Sequence, residues 1–158
     1  IGVWVHEEDA HLESSPLRQL KPQALAAFTS SCQSAGASTA LSRRELILSD
    51  ALGRAMRWYG VGGRVRESRD LGESLCAWAE SQGLSHVVAM APCVGPLNDR
   101  MPDIKRSLRH AGVVLQLVRR PWDERFFPMA QTSYFRFFRD ALPHLPVRMH
   151  QGVLSGLR

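Results

Sequence analysis

The sequence predicts an α/β domain: a Rossmann-like, doubly wound parallel sheet of four or five strands with helices on both faces, followed by an aromatic-rich C-terminal tail. Three observations predict it. Residues 83–120 read as strand, loop, helix and returning strand. Apolar runs and helical patterns alternate through the preceding part of the chain. The runs His86–Met90 and Val113–Val118 are nearly continuous in apolar residues, as strands buried on both faces are.

Gly2–Val5 is the first strand, running into His6-Glu7-Glu8-Asp9 and a polar turn from His11 to Pro16. Pro22–Ala35 has a helical stripe of Leu25, Phe28, Thr29 and Cys32, closed by Gly36. Ala37–Ser42 reads as a short strand or a loop. Glu45–Tyr59 is helical, with Leu48, Leu52, Met56 and Tyr59 along one face. Gly60-Val61-Gly62-Gly63 stops that helix. It lacks the GxxxxGK[ST] order of a phosphate loop and is read as a turn. Arg64–Glu67 is a brief strand, and Ser68 or Asp70 caps a helix reaching Gln82.

After His86–Met90, Pro92 and Pro96 end the strand, since proline offers no ladder donor. Asn98 or Asp99 is the expected cap of the next helix, with Pro102 in its first turn. Met101, Ile104, Leu108 and Ala111 share its apolar face, and Gly112 ends it. A helix between parallel strands places the Ala91–Pro96 loop at the carboxyl edge of the sheet, where open α/β sheets hold ligands. Residues 1–120 form this domain. Residues 121–158 form a C-terminal aromatic and basic segment, with a short helix at Tyr134–Arg139 that Pro143 ends. Seven of the twelve aromatics lie between Trp122 and Phe138. Such a cluster is buried against the protein itself or against a partner.

The formal charge is +5, and arginine outnumbers lysine 18 to 2. The arginines are interspersed with carboxylates and form no recognised basic motif, so nucleic-acid binding by this chain alone is not expected. No apolar run approaches the roughly 18–20 residues of a membrane span. Cys32, Cys76 and Cys93 show no zinc or CxxC spacing, and packed thiols suit a reducing compartment. The start at Ile1 suggests a processed or incomplete N-terminus. The consecutive carboxylates Glu7, Glu8 and Asp9 splay from a strand end, which is poor geometry for a metal, and no metal is expected. Cys93, in a strand-end loop, is a conceivable nucleophile. It has no identifiable base: His86 is buried by pattern, and His6 is only a possible neighbour. No catalytic residue is assigned.

The stretches GLSHVVAM, APCVGPLNDRM and SLRHAGVVLQLV, spanning residues 83–101 and 107–118, resemble the α/β domain of the photolyase and cryptochrome family. VWVHEEDAHLESSPL, residues 3–17, is similar to a photolyase strand and loop. RRPWDERFFPMAQTSYFRFFRDALPHL, residues 119–145, resembles the segment leading from that domain to the helical flavin domain. The resemblance covers the α/β domain only. In that family the FAD, the tryptophan electron-transfer chain and the damaged-base pocket belong to the helical domain, so it does not carry light-driven repair to these residues. Trp4, Trp58, Trp78 and Trp122 take no redox role from it.

Two functions follow as expectations. One is a non-catalytic structural or docking subunit of a larger protein assembly. Its partner surface would be the C-terminal segment: Trp122, Phe126, Phe127, Tyr134, Phe135, Phe138, Arg136 and Arg139. The other is the chromophore- or nucleotide-binding half of a photolyase-type flavoprotein. No cofactor is expected under the first. Under the second the resemblance implies an antenna chromophore or flavin nucleotide near Glu7, Glu8, Asp9, Pro92, Cys93 and Gly95. The Arg-rich, Lys-poor composition suits an organelle interior, the chloroplast favoured, or the cytoplasm.

Overall fold

The computed structural model describes residues 1–30, 38–130 and 133–145. The chain divides into two compact units, Ile1–Val118 and Arg119–Arg158.

The first unit is built on five parallel strands: β1 (Gly2–Val5), β2 (Ala24–Ser30), β3 (Gly63–Ser68), β4 (His86–Met90) and β5 (Val114–Val118). Their order is β3-β2-β1-β4-β5. Successive strands run outward from β1 in one direction, and then the chain returns to lay β4 and β5 on the other side. This is the doubly wound arrangement the sequence predicts. Three helices cover the sheet: α1 (Ser38–Tyr59), α2 (Leu71–Ser81) and α3 (Pro96–His110).

Side-chain alternation along the strands divides the core into two layers. Trp4, Ala26, Phe28, Val87 and Leu115 point to one face and pack with Leu75 and Trp78 of α2 and Ile104 and Leu108 of α3. Val3, Val5, Leu25, Ala27 and Met90 point to the other and meet Leu48, Ala51, Leu52 and Ala55 of α1.

Several expectations are corrected. Pro22–Ala35 is not a helix: Ala24–Ser30 is the strand β2, and Cys32 lies outside the described residues. Flanked by β1 and β3 and buried on both faces, it shows no polar alternation to mark it as a strand. The segment read as a short strand or loop is instead the start of α1, from Ser38 onward. α3 begins at Pro96 with Gly95 as its cap residue. Asn98 and Asp99 therefore lie within its first turn, and Pro102 lies inside the helix. His86 is exposed at the start of β4, and Ala111 is exposed at the end of α3. The helix α2 is capped as expected, with Asp70 accepting from the Glu73 N–H at 2.9 Å.

The β1–β2 connection has no α-helix. It carries 3-10 turns at Leu12–Ser14 and Pro16–Gln19, whose Leu12 and Leu17 fill the core beside α1. α1 grips this segment through polar contacts. The Arg54 guanidinium donates to Glu13 at 2.6 Å, to Asp50 and to the Ala10 carbonyl. Burial pushes the Glu13 carboxyl up, but its backbone hydrogen bond and Arg54 outweigh this and hold it below its usual value.

Tyr59 donates to the Leu17 carbonyl at 2.8 Å. Burial, with Glu13 nearby, pushes its pKa up to about 12 from 10.0. Between those values only the unfolded chain releases the phenol proton, so stability is expected to fall as pH rises from about 10 to about 12. Urea midpoints measured across that range report the decline, and Tyr59→Phe should remove this component of it.

Gly63 opens β3 where a Cβ would lie 2.9 Å from both the Cβ and the carbonyl oxygen of Leu25. The carbonyl oxygen is backbone of the neighbouring strand and the Cβ is fixed directly to that backbone, so neither can rotate away. Gly63→Ala is expected to cost about 1–3 kcal/mol in urea unfolding.

In the second unit, α4 (Pro121–Phe126) leads into a 3-10 turn at Phe127–Met129. Beyond it, α5 (Tyr134–Ala141) gives way to a 3-10 turn at Leu142–His144 that contains Pro143. Ser133 caps α5 by accepting from the Arg136 N–H. Trp122 packs on Phe126 with ring centroids 4.3 Å apart, and Arg119 lies over the Phe127 ring at 4.8 Å. Among the described residues, no helix is long and apolar enough to cross a membrane.

Candidate functional site

Every strand of a parallel sheet ends on the same edge, so the carboxyl ends of β1, β2, β3 and β4 lie there. A cleft of about 190 Å3 opens among them. Trp4 and Phe28, from the ends of β1 and β2, give it aromatic walls. Leu71 brings the start of α2, and Pro96 and Leu97 bring the start of α3. The volume suits one end of a ligand, since whole drug-sized molecules generally need about 300 Å3 or more.

Two hydrogen bonds tie the β1 and β4 loops together across the reversal of strand order. His6, only 2% exposed, has Nε2 at 2.8 Å from the Met90 carbonyl oxygen. Glu8 accepts from the Cys93 backbone N–H at 2.7 Å. The His6 ring also meets Trp4 edge-on, with centroids 5.4 Å apart.

The electrostatics favour an anion. Arg44, Arg69 and Arg100 line the cleft with Glu7 and Glu8. Arg44 stands 4.0 Å from Glu7, and the Glu8 carboxylate is engaged by Cys93. Among the described residues, Arg69 and Arg100 have no ion-pair partner. At the start of α3, Gly95 (φ 150°) supplies no side-chain cap. The Leu97 and Asn98 N–H groups therefore lack an intrahelical acceptor, and the helix adds its positive end.

Of the residues expected at a ligand site, Glu7 and Glu8 line the cleft. Asp9, Pro92, Cys93 and Gly95 are not among its lining. Pro92 is buried, and Cys93 is exposed in the loop alongside. His6 shows no hydrogen bond to Cys93, so these two do not form a nucleophile–base pair. Sequence reasoning missed Trp4, Phe28 and the three arginines, and weighed His6 chiefly as a neighbour of Cys93. His6 had a legible signal, as the residue that immediately follows the first strand.

The expected partner residues lie in the second unit. Phe126 is buried, and Tyr134 and Phe135 are 70% and 82% exposed. Tyr134 stacks on Phe138 with centroids 6.0 Å apart. Arg136 and Arg139 are exposed around Asp140, with Arg139 at 2.9 Å. Trp122 and Phe127 are partly exposed.

No family model and no curated protein matches this chain.

Proposed function

We propose that residues 1–118 form a photolyase-type α/β domain that binds an anionic, ring-bearing ligand, a flavin nucleotide or similar chromophore, at the carboxyl edge of its sheet. The observation that carries this reading is the pairing of Arg69 and Arg100, without ion-pair partners among the described residues, with the aromatic walls Trp4 and Phe28 in one cleft. Guanidinium groups without carboxylate partners match phosphate or carboxylate, and the indole and phenyl rings match a planar ring. The chain binds and orients such a ligand, and no residue is assigned a chemical step. Absorption of the protein purified from its own source tests the reading. A band beyond the tryptophan region that follows the protein through gel filtration supports it, and a spectrum of tryptophan and tyrosine alone counts against it.

A second reading rests on the tail. The exposure of Tyr134 and Phe135 beside Arg136 and Arg139 favours docking to a larger protein assembly, with an organelle interior as its setting. The two roles are compatible, because they use separate units of the chain.

A further inference from the structure

We propose that His6 sets the specificity of the cleft, its Nδ1 accepting a hydrogen bond from an N–H or O–H group on the ring end of the ligand. This rests on the cleft being the ligand site. The Met90 carbonyl can only accept, so the His6 Nε2 facing it at 2.8 Å carries a proton and donates. In the neutral ring Nδ1 is then a lone-pair acceptor. Contact with Trp4 and the bond to Met90 fix the ring's orientation.

Nδ1 is buried and, among the described residues, has no hydrogen-bond partner. Among the described residues, Glu13 Oε2 is the other buried side-chain atom without one, and that carboxylate is already satisfied through Oε1 by Arg54. Buried acceptors are rarely left unpaired, and this one belongs to a residue that lines the cleft. A donor on the ligand would complete it. The cleft then takes the ring end of a ligand, and Arg69 and Arg100, exposed beside it, engage an anionic group on the part that extends beyond.

FMN and its N3-methyl derivative differ at one ring donor and test this directly. Binding is read by flavin fluorescence for the wild type, His6→Gln and His6→Phe. The wild type is expected to bind N3-methyl-FMN about tenfold or more weakly than FMN. His6→Gln should keep the preference, because its amide N–H can donate to Met90 while its oxygen accepts. His6→Phe should bind both probes alike. Equal affinity of the wild type for the two probes overturns the role of His6 and leaves the cleft reading standing. A preference that persists in His6→Phe marks steric rejection of the methyl group and also overturns it. Absence of FMN binding to the wild type overturns the cleft reading, and this inference with it. If His6→Phe fails to fold, His6→Leu, which also lacks the acceptor, takes its place, and the same two outcomes decide.

Discussion

Trp78→Ala is expected to lower the unfolding free energy by about 3–5 kcal/mol. Trp78 is among the largest fully buried side chains of the first unit. It meets Phe28 edge-on at 6.4 Å between centroids, and so joins α2 to β2. Its ring also lies where a Cβ on Gly2 would come within 2.7 Å, so it packs directly against the start of β1. Truncation removes an indole from the layer between the sheet and two helices, and rigid strands cannot collapse into the space. Domains of this kind are stable by only about 5–15 kcal/mol, so the loss is a large share of the total. Urea denaturation followed by far-ultraviolet circular dichroism measures it. A loss below about 1 kcal/mol would mean that the site relaxes around the cavity.

Arg69→Ala combined with Arg100→Ala is expected to weaken FMN binding about a hundredfold or more. A hydrogen bond to a charged group contributes about 1.5–3 kcal/mol, and two are removed. Both side chains are exposed and without ion-pair partners among the described residues, so the unfolding midpoint should stay near that of the wild type. The pair thus separates ligand recognition from folding. Replacement by lysine should restore part of the affinity, since charge returns without the planar fork. Affinity unchanged in the alanine pair would remove the arginines from the site.

The fold was legible where local pattern and tertiary role agree. His86–Met90 and Val114–Val118 are short apolar runs bounded by turn residues, and α2 carries both its Asp70 cap and its stop at Gly83. β2 was hidden for a physical reason. Ala24, Ala26 and Ala27 are strong helix formers, and a strand buried on both faces shows no alternation of polar and apolar residues. The beginning of α1, rich in serine, alanine and threonine, has too little apolar periodicity to declare itself. The carboxyl edge could be located from the strand–loop–helix order, which brought Glu7 and Glu8 into view. Arg44, Arg69 and Arg100 could not be grouped, because Arg44 and Arg100 lie early in α1 and α3 and Arg69 in the turn between β3 and α2, far apart in the chain. Only the strand order β3-β2-β1-β4-β5 brings them together.

The four tryptophans offer the most direct test of the cleft, because each marks a different place. Trp4 lines the cleft, and Trp78 lies in the core under α2. The Trp58 indole donates to the Arg18 carbonyl on the outside of α1, and Trp122 packs on Phe126 in the second unit. Indole resonances of 15N-tryptophan-labelled protein, assigned with single Trp→Phe variants, should be followed as FMN is added. The predicted result is a saturable shift of the Trp4 signal that is lost in the Arg69→Ala/Arg100→Ala pair, with Trp58 and Trp122 unmoved. Saturable shifts at Trp58 or Trp122 with Trp4 unmoved, or no shift at any of the four, would contradict a ligand site at the carboxyl edge of the sheet.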